Sequence, residues 1–444
     1  MARCATMTFR NLVLSFVVIT IFFIAVFYRD AHAPARLRVV ASVREGEKRP
    51  SGAKYFFEKL DLEEKDCRRL FPGIFPAINY AMDRGKFILE KSDADYTGLV
   101  QGRIHDNKLY ILTTSPDHIP RILHQRTAIL SQLHRALLTS PSKLPNTHFS
   151  FVTNDEPKNN TWSFSRPNKQ STYNVWPMPS FAFWAWPPQI GTFDDVLSRI
   201  DVVEASKPFE EKDDRVVWRG TPWFNSLGNP QLRQDLLRVA RGREWADVEA
   251  LNVSTGMPIE DFCGYKYVVY TEGITYSGRL PYHQACESVL LTAPLTHLTH
   301  TAWWMKPIFA EDLMASFVNP ATPSKEPNSG KEYTIPSLLP TTKDWREANA
   351  VYTSRNFDDL EATVSFLHQQ PHVARRIARN QRGLVAKYGY MSPAAETCYW
   401  RGLIRGWASR AEVDEGWVDE MGERYEMWLL REVEIREGGR RPGR

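Results

Sequence analysis

The run 265–280 constrains this chain more than any other stretch. Tyr265-Lys266-Tyr267-Val268-Val269-Tyr270 reads as a buried strand, 271–278 as a loop with glycines at 273 and 278, and Arg279-Leu280 as the opening of a helix. That order gathers free backbone N–H groups, the Ser277 hydroxyl and the fixed charge of Arg279 at one helix N-terminus, where a diphosphate can be held. Thr275, Tyr276, Ser277, Gly278 and Arg279 are the candidate anion-binding residues.

The same grammar recurs upstream. Arg215-Val216-Val217-Trp218 is a short strand, Arg219-Gly220 begins a loop, and Asn229-Pro230 offers an N-cap and first-turn pair for a helix carrying Leu232, Leu236, Leu237 and Val239. A further strand over 288–291 gives the β-α-β alternation of a doubly wound sheet. Before these units, Ile122, Ile129, Leu133 and Leu137 share one face of a helix that starts near Pro120 and ends by Pro141 and Pro145. His148-Phe149-Ser150-Phe151-Val152 reads as a strand running straight into Thr153-Asn154-Asp155-Glu156-Pro157. An acidic residue therefore stands at the carboxyl end of a strand, where open α/β sheets place ligand groups. Residues 160–192 read as a long aromatic loop and 319–340 as a surface loop. Helices return after Asn356, with Leu360, Val364 and Leu367 on one stripe, Pro371 opening a second and Ser392-Pro393 capping a third.

With 444 residues, 43% of them hydrophobic, the chain can bury enough core for two domains. A net charge of +4 is too near balance to single out a nucleic acid as partner. The 14 tryptophans suit sugar faces but serve packing more often. Residues 12–28 form an uncharged apolar run, at about 1.5 Å per residue just long enough to span a hydrocarbon core. We expect an uncleaved anchor there, a cytosolic tail over 1–11 and a polar stem over 29–50. Ala31-His32-Ala33 offers signal cleavage as the alternative, against which Pro34 speaks. Arginines on both flanks leave the orientation undecided by charge. None of the five cysteines has Cys-x-x-Cys spacing, which argues against zinc. Cys67, Cys263, Cys286 and Cys398 can pair in three ways in an oxidising lumen, buried free thiols being the alternative. Asn159-Asn160-Thr161 and Asn252-Val253-Ser254 are glycosylation acceptors if the chain is luminal.

Tyr276-Ser277-Gly278-Arg279-Leu280 following Tyr265-Lys266-Tyr267 resembles the core motif of glycosyltransferase family 90, which includes fungal capsule-type xylosyltransferases and animal protein O-glucosyltransferases. Pro179-Ser180-Phe181-Ala182-Phe183-Trp184, Val217-Trp218-Arg219-Gly220, Trp245-Ala246-Asp247-Val248 and Pro393-Ala394-Ala395-Glu396-Thr397-Cys398-Tyr399-Trp400-Arg401 agree in order. The resemblance covers roughly residues 145–410 and is closest to the fungal branch, with departures at Gly264 and Pro281. It implies an α/β, GT-B-like fold, with two Rossmann-type domains facing a cleft. The expected parts are an acceptor-side domain over 51–194, a nucleotide-sugar-binding domain over 195–390, helices over 391–436 packing back on the first domain, and a disordered tail over 437–444.

Moving a sugar from a nucleotide to a hydroxyl needs a base, a means of bearing charge on the leaving diphosphate, and positioning of the anomeric centre. The resemblance implies Asp155 as base; Glu156 beside it and a purely structural turn before Pro157 stay open. Arg219 and Gly220 are expected on the donor side with 275–279, because a guanidinium donates paired hydrogen bonds and keeps its charge. An Arg219 paired with Asp213 or Asp214 is the competing role. The helix opened near Arg279 is expected to add its dipole, and Lys266 to reach a ligand or a salt-bridge partner. By resemblance Phe183, Trp184 and Trp186 line the sugar and acceptor side, with core packing as the competitor. Asp93-Ala94-Asp95 reads as a solvated loop, and His283, His297 and His300 lack metal spacing, so no metal ligand set is expected.

The resulting expectation is an inverting, UDP-sugar-dependent glycosyltransferase of the Golgi or endoplasmic reticulum membrane, single-pass with a luminal catalytic domain. UDP-xylose is favoured as donor, then UDP-glucose; the acceptor is a hydroxyl of a glycan, polysaccharide or protein. No permanently bound cofactor, no metal requirement and no nucleic-acid partner are expected. A catalytically inactive carbohydrate-binding or scaffold protein of the same fold is the alternative.

Overall fold

A computed structural model describes residues 57–92, 96–116, 119–169, 174–186, 190–224, 226–318 and 338–438. The chain divides after Ser51, and every described residue belongs to the unit Gly52–Arg444. The expected tail, anchor and stem, Asp93-Ala94-Asp95, and residues from 439 onward lie outside the described residues. Among the described residues, no helix is long and apolar enough to cross a membrane.

In chain order the elements are α1 (Glu64–Leu70), α2 (Pro76–Met82), β1 (Phe87–Leu89), β2 (Leu99–His105), β3 (Lys108–Thr114), α3 (Pro120–Leu138), β4 (Thr147–Val152), β5 (Thr161–Ser163), β6 (Arg166–Pro167), β7 (Val175–Pro177), β8 (Ala185–Trp186), β9 (Gly191–Thr192), α4 (Phe193–Ser206) and β10 (Asp213–Gly220). They continue with α5 (Leu232–Ala240), β11 (Ala246–Ala250), β12 (Tyr265–Tyr270), α6 (Leu280–Gln284), β13 (Val289–Thr292), β14 (His297–Leu298), β15 (Pro307–Phe309), α7 (Ala310–Val318), β16 (Ala350–Tyr352), α8 (Leu360–Gln369), α9 (Pro371–Ala386), α10 (Pro393–Ala408), β17 (Ala411–Val413), β18 (Glu423–Arg424) and α11 (Tyr425–Gly438).

The second half builds an all-parallel sheet in the order β11-β10-β12-β13-β16-β15. Its central strands are apolar on both faces, as a covered parallel sheet requires. Val216, Trp218, Tyr267, Val269, Val289 and Leu291 pack into one core with Leu236, Leu360, Val364 and Ile377, while the alternating Val217 and Val268 face a second core. The period of two thus splits each strand between two hydrophobic layers. Loops at the carboxyl ends of β10, β12 and β13 then run along one edge.

The first sheet corrects an expectation. Its order is β18-β3-β2-β4-β5-β7, antiparallel from β18 through β4 and parallel only from β4 to β7. It is a mixed sheet, so the half of the chain that builds it is not Rossmann-type as expected. The reason is local: Asp106 and Asn107 both take positive φ, 51° and 58°, which makes a two-residue hairpin turn and forces β2 and β3 antiparallel. Tryptophans fill this half. Trp162 stacks on Phe149 at 5.2 Å and meets Trp400 and Trp407 edge-on at 5.9 and 5.5 Å.

The chain then returns to its start. Helix α10 lies on α3, where Trp400 donates to Gln132 Oε1 at 3.2 Å, and a Cys67–Cys398 disulfide fixes it to α1. Strand β17 pairs with β1, and β18 adds to the mixed sheet. A short antiparallel ribbon, β6 with β14, ties the two halves together. A second disulfide, Cys263–Cys286, joins the chain just before β12 to the chain just after α6.

Two expected helix starts shift. Helix α5 begins at Leu232 after Gln231; Asn229 donates instead to the Arg355 carbonyl at 2.8 Å. Helix α6 has only 5 residues, so the dipole expected behind Arg279 is slight.

Candidate active site

The loop after β12 folds on itself. Gly273 donates to Tyr276 O at 2.9 Å, and the Tyr270 hydroxyl accepts from Ser277 N at 2.9 Å. Side chains are excluded at both glycines: a Cβ at Gly273 would lie 2.8 Å from Tyr276 O, and one at Gly278 would lie 2.6 Å from Trp186 Cζ3. Tyr276 is buried against Phe164, with ring centroids 5.8 Å apart. The Thr275 hydroxyl donates to the backbone carbonyl of Asp155 at 2.5 Å. The motif loop and the loop after β4 are therefore in direct contact.

Arg279 is half-buried, caps α6, and donates through Nη1 to the Arg219 carbonyl. Beside it stands Arg233, in the first turn of α5, donating to Glu272 O at 2.9 Å and Thr221 O at 2.8 Å. Burial, and for Arg279 also the charge of Arg233, pushes each guanidinium down to about 10. Among the described residues neither has an ion-pair partner, and the Nη2 group of each makes no hydrogen bond. Two cations sharing one place without a carboxylate are suited to holding an anion. They stand at the carboxyl edge of a parallel sheet, where such sheets bind ligands.

Arg219 departs from its expected role. Its guanidinium donates to Thr255 O, Trp218 O, Asp247 O and Asp247 Oδ1, the last at 2.5 Å. The competing pairing with Asp213 or Asp214 is not formed either, because those carboxylates take Arg215 and Lys266. Only the Arg219 carbonyl faces the site. Gly220 is held by packing: a Cβ would lie 2.4 Å from the Trp218 ring, whose Nε1 donates to Thr271 Oγ1 at 3.0 Å.

Asp155 is half-buried and Glu156 exposed. Burial raises the Asp155 carboxyl above the usual range, Arg121 opposes the rise and Glu156 adds to it. Burial raises Tyr276 well above the usual range, and the charge of Asp155 adds to the rise. Glu272, overlooked in the sequence, accepts from Thr296 N at 3.0 Å, His297 N at 2.7 Å and Thr296 Oγ1 at 2.7 Å. Burial pushes it up to about 7. It clamps the chain after β13 to the motif loop. Arg233 and Glu272 both stood in segments already singled out; a charge in the loop after a parallel strand (Glu272) or in the first turn of the helix that follows one (Arg233) was the available signal.

The three aromatics separate. Trp186 reaches the motif loop over Gly278 and packs on Phe181 at 5.2 Å. Phe183 is core, stacked on Phe193 at 4.5 Å and beside His300 at 5.0 Å, so it does not line a cleft. Trp184 lies under the Arg135 guanidinium at 5.0 Å, and Arg135 pairs with the buried Glu396. Among the described residues, the one cluster with metal-ligand spacing is Glu204, Cys263 and Cys286, whose cysteines are joined to each other.

Comparison with known proteins points to a class, the glycosyltransferases. Residues 89–309 match the model of Glycosyl transferase family 90, and the chain carries a domain of that family. It is similar to an O-glucosyltransferase rumi homolog from Anopheles gambiae, 21% identical over 243 residues, 51% of this chain and 51% of that protein. The chain thus matches about half the length of that relative.

Proposed function

We propose that the chain is an inverting glycosyltransferase that moves a sugar from a UDP-sugar to a hydroxyl of a glycan or protein. The observation that carries this reading is the couple of Arg233, buried, and Arg279, half-buried, without ion-pair partners among the described residues and tied through Thr275 to the loop bearing Asp155. The acceptor oxygen attacks the anomeric carbon, and its proton passes to the Asp155 carboxylate. The bond from that carbon to the diphosphate oxygen breaks, and its electron pair leaves with UDP. The two guanidiniums, held in place before the reaction, meet the charge that develops there. Trp186, over Gly278, closes one wall beside the anomeric centre.

In this reading the parallel-sheet half is the donor domain and the mixed-sheet half the acceptor side, a GT-B-like division near residues 194–195 with 391–436 packed on the first half. Xylose and glucose stay the two donors. The fungal-type motifs speak for xylose, and the name of the similar mosquito protein speaks for glucose. A luminal setting, with residues 12–28 as anchor in Golgi or endoplasmic reticulum, fits the two disulfides, which persist in oxidising compartments.

The test is UDP release from UDP-xylose, UDP-glucose and UDP-galactose with mannose oligomers or a serine-containing protein domain as acceptor. One donor is expected to turn over, with Asp155→Asn losing about a thousandfold or more of kcat while still binding UDP. Turnover by Asp155→Asn at the wild-type rate would remove Asp155 as base. No turnover of any donor, with UDP binding intact, would favour a non-catalytic sugar-binding protein.

A further inference from the structure

The buried arginines other than Arg166 are served by acceptors. Arg401 donates to Ala136 O, Leu62 O, Leu60 O and Thr139 Oγ1; Arg382 to Ala285 O and Asp201; Arg126 to Ser115 O and Glu432; Arg219 and Arg233 are bonded as described above. Arg166 is the exception. It is 0% exposed, and its Nε, Nη1 and Nη2 all lack a hydrogen-bond partner. Its guanidinium lies 4.3 Å from the centre of the Tyr80 ring; Tyr80 favours its charged form, but less strongly than burial opposes it.

The neighbours make the imbalance larger. Arg84 donates to the Tyr80 hydroxyl at 3.4 Å, while its buried Nε has no acceptor. Trp303 packs on Tyr80 at 5.8 Å, and its buried Nε1 is also unpartnered. Five donor atoms on three side chains thus surround one tyrosine, with two positive charges and no ion pair to either arginine among the described residues. Leaving a buried charge unpaired is strongly unfavourable, which calls for acceptors from outside the chain, either ordered water or an anion.

We propose that Arg166, Arg84 and the Trp303 indole form a binding site for a small oxyanion, a phosphate or carboxylate group, capped by the Tyr80 side chain. Tyr80 sits at the end of α2, half-buried, between the Arg166 guanidinium and Arg84, so a rotation of its ring uncovers the donors. A planar guanidinium presents two parallel N–H groups to two oxygens, and Arg84 Nε and Trp303 Nε1 are further donors to the same group. Arg166 is two residues beyond Phe164, which touches Tyr276 in the candidate active site. In extended chain that is about 7 Å. The oxyanion is either a free anion or an acidic group on the acceptor, such as the carboxylate of a uronic sugar; the second source rests on the glycosyltransferase reading above, the first does not.

The experiment uses the full chain in chloride buffer at fixed ionic strength, titrated with inorganic phosphate and, separately, with sodium glucuronate, followed by calorimetry and thermal melting. Wild type is expected to bind at least one of them saturably. Arg166→Met should bind it at least about tenfold more weakly, and Arg84→Gln several-fold more weakly. Without oxyanion, Arg166→Met should melt no lower than wild type, because it removes an uncompensated charge. Saturation by phosphate alone marks a free or phosphate-borne anion, and saturation by glucuronate marks an acidic saccharide. UDP binding, measured in parallel, should be the same in wild type and Arg166→Met. The proposal is overturned if neither anion saturates wild type, or if Arg166→Met binds as wild type does. It is equally overturned if Arg166→Met loses UDP and oxyanion together, since the donors would then belong to the nucleotide site. Loss of UDP binding in Arg279→Gln with phosphate binding intact separates the two readings.

Discussion

Replacing Arg233 and Arg279 by glutamine, singly and together, tests the central electrostatic claim. Arg233 is 5% exposed, and burial pushes its guanidinium down to about 10, which corresponds to about 3 kcal/mol against the charged form in the folded protein. The sign follows from a base whose pKa is lowered on folding. The penalty is present at neutral pH and is relieved only as pH rises through about 10 toward the ordinary arginine range. Glutamine removes that penalty but also removes the bonds to Glu272 O and Thr221 O, each worth about 1–3 kcal/mol. The two effects nearly cancel, so each single variant should melt close to wild type without ligand. Function should respond quite differently. Each guanidinium lost from a developing diphosphate charge lowers kcat by about a hundred- to a thousandfold, and the double variant should lose the melting-temperature rise that UDP produces. Scanning fluorimetry with and without UDP, together with single-turnover UDP release, reads both quantities. Variants that keep the UDP-dependent rise, or that unfold before they lose turnover, would refute the idea of an unpaired cationic couple built for a ligand.

Further tests follow from the same geometry. Because burial raises Asp155, activity should fall on acidification at a higher pH than for an ordinary aspartate; Arg121→Gln should move that acid limb upward, and Glu156→Gln should move it downward, in a pH–rate profile. Gly278→Val places its side chain against Trp186, and kcat/KM should fall by about one to two orders of magnitude in steady-state assays; a wild-type value would show that this wall does not shape the site. The Cys263–Cys286 bond closes a loop with a sequence separation of 23, so Cys263→Ser with Cys286→Ser should lose about 3 kcal/mol in denaturant titration. Chelation should leave turnover largely unchanged if the guanidiniums serve in place of a divalent cation, and abolished turnover would overturn that account.

Much of the local architecture was legible. The strand at β4, the α3 stripe of Ile122, Ile129, Leu133 and Leu137, and the strand–loop–helix around 265–284 follow from periodicity and turn residues, which act over a few positions. The hairpin at Asp106-Asn107 was equally local but went unread, and with it the mixed character of the first sheet. Within the candidate site, Asp155 and Arg279 stood out in the sequence because each lies at the end of an apolar strand or a glycine loop. Arg219 has the same sequence setting and ends up bonded to Asp247.

By itself the sequence determined which segments become strands and helices, which loops carry charge, and which family motif the chain bears. Only the tertiary structure decided which charges are free. Arg219 finds its carboxylate 28 residues away across a strand pair, whereas Arg233 and Arg279 are brought together with none. The physical reason is that hydrogen-bond partners and burial are set by strand order and packing, which join residues distant in the chain. A guanidinium keeps one chemistry everywhere, but its neighbours make it a structural tie, a ligand site or, at Arg166, an open donor set.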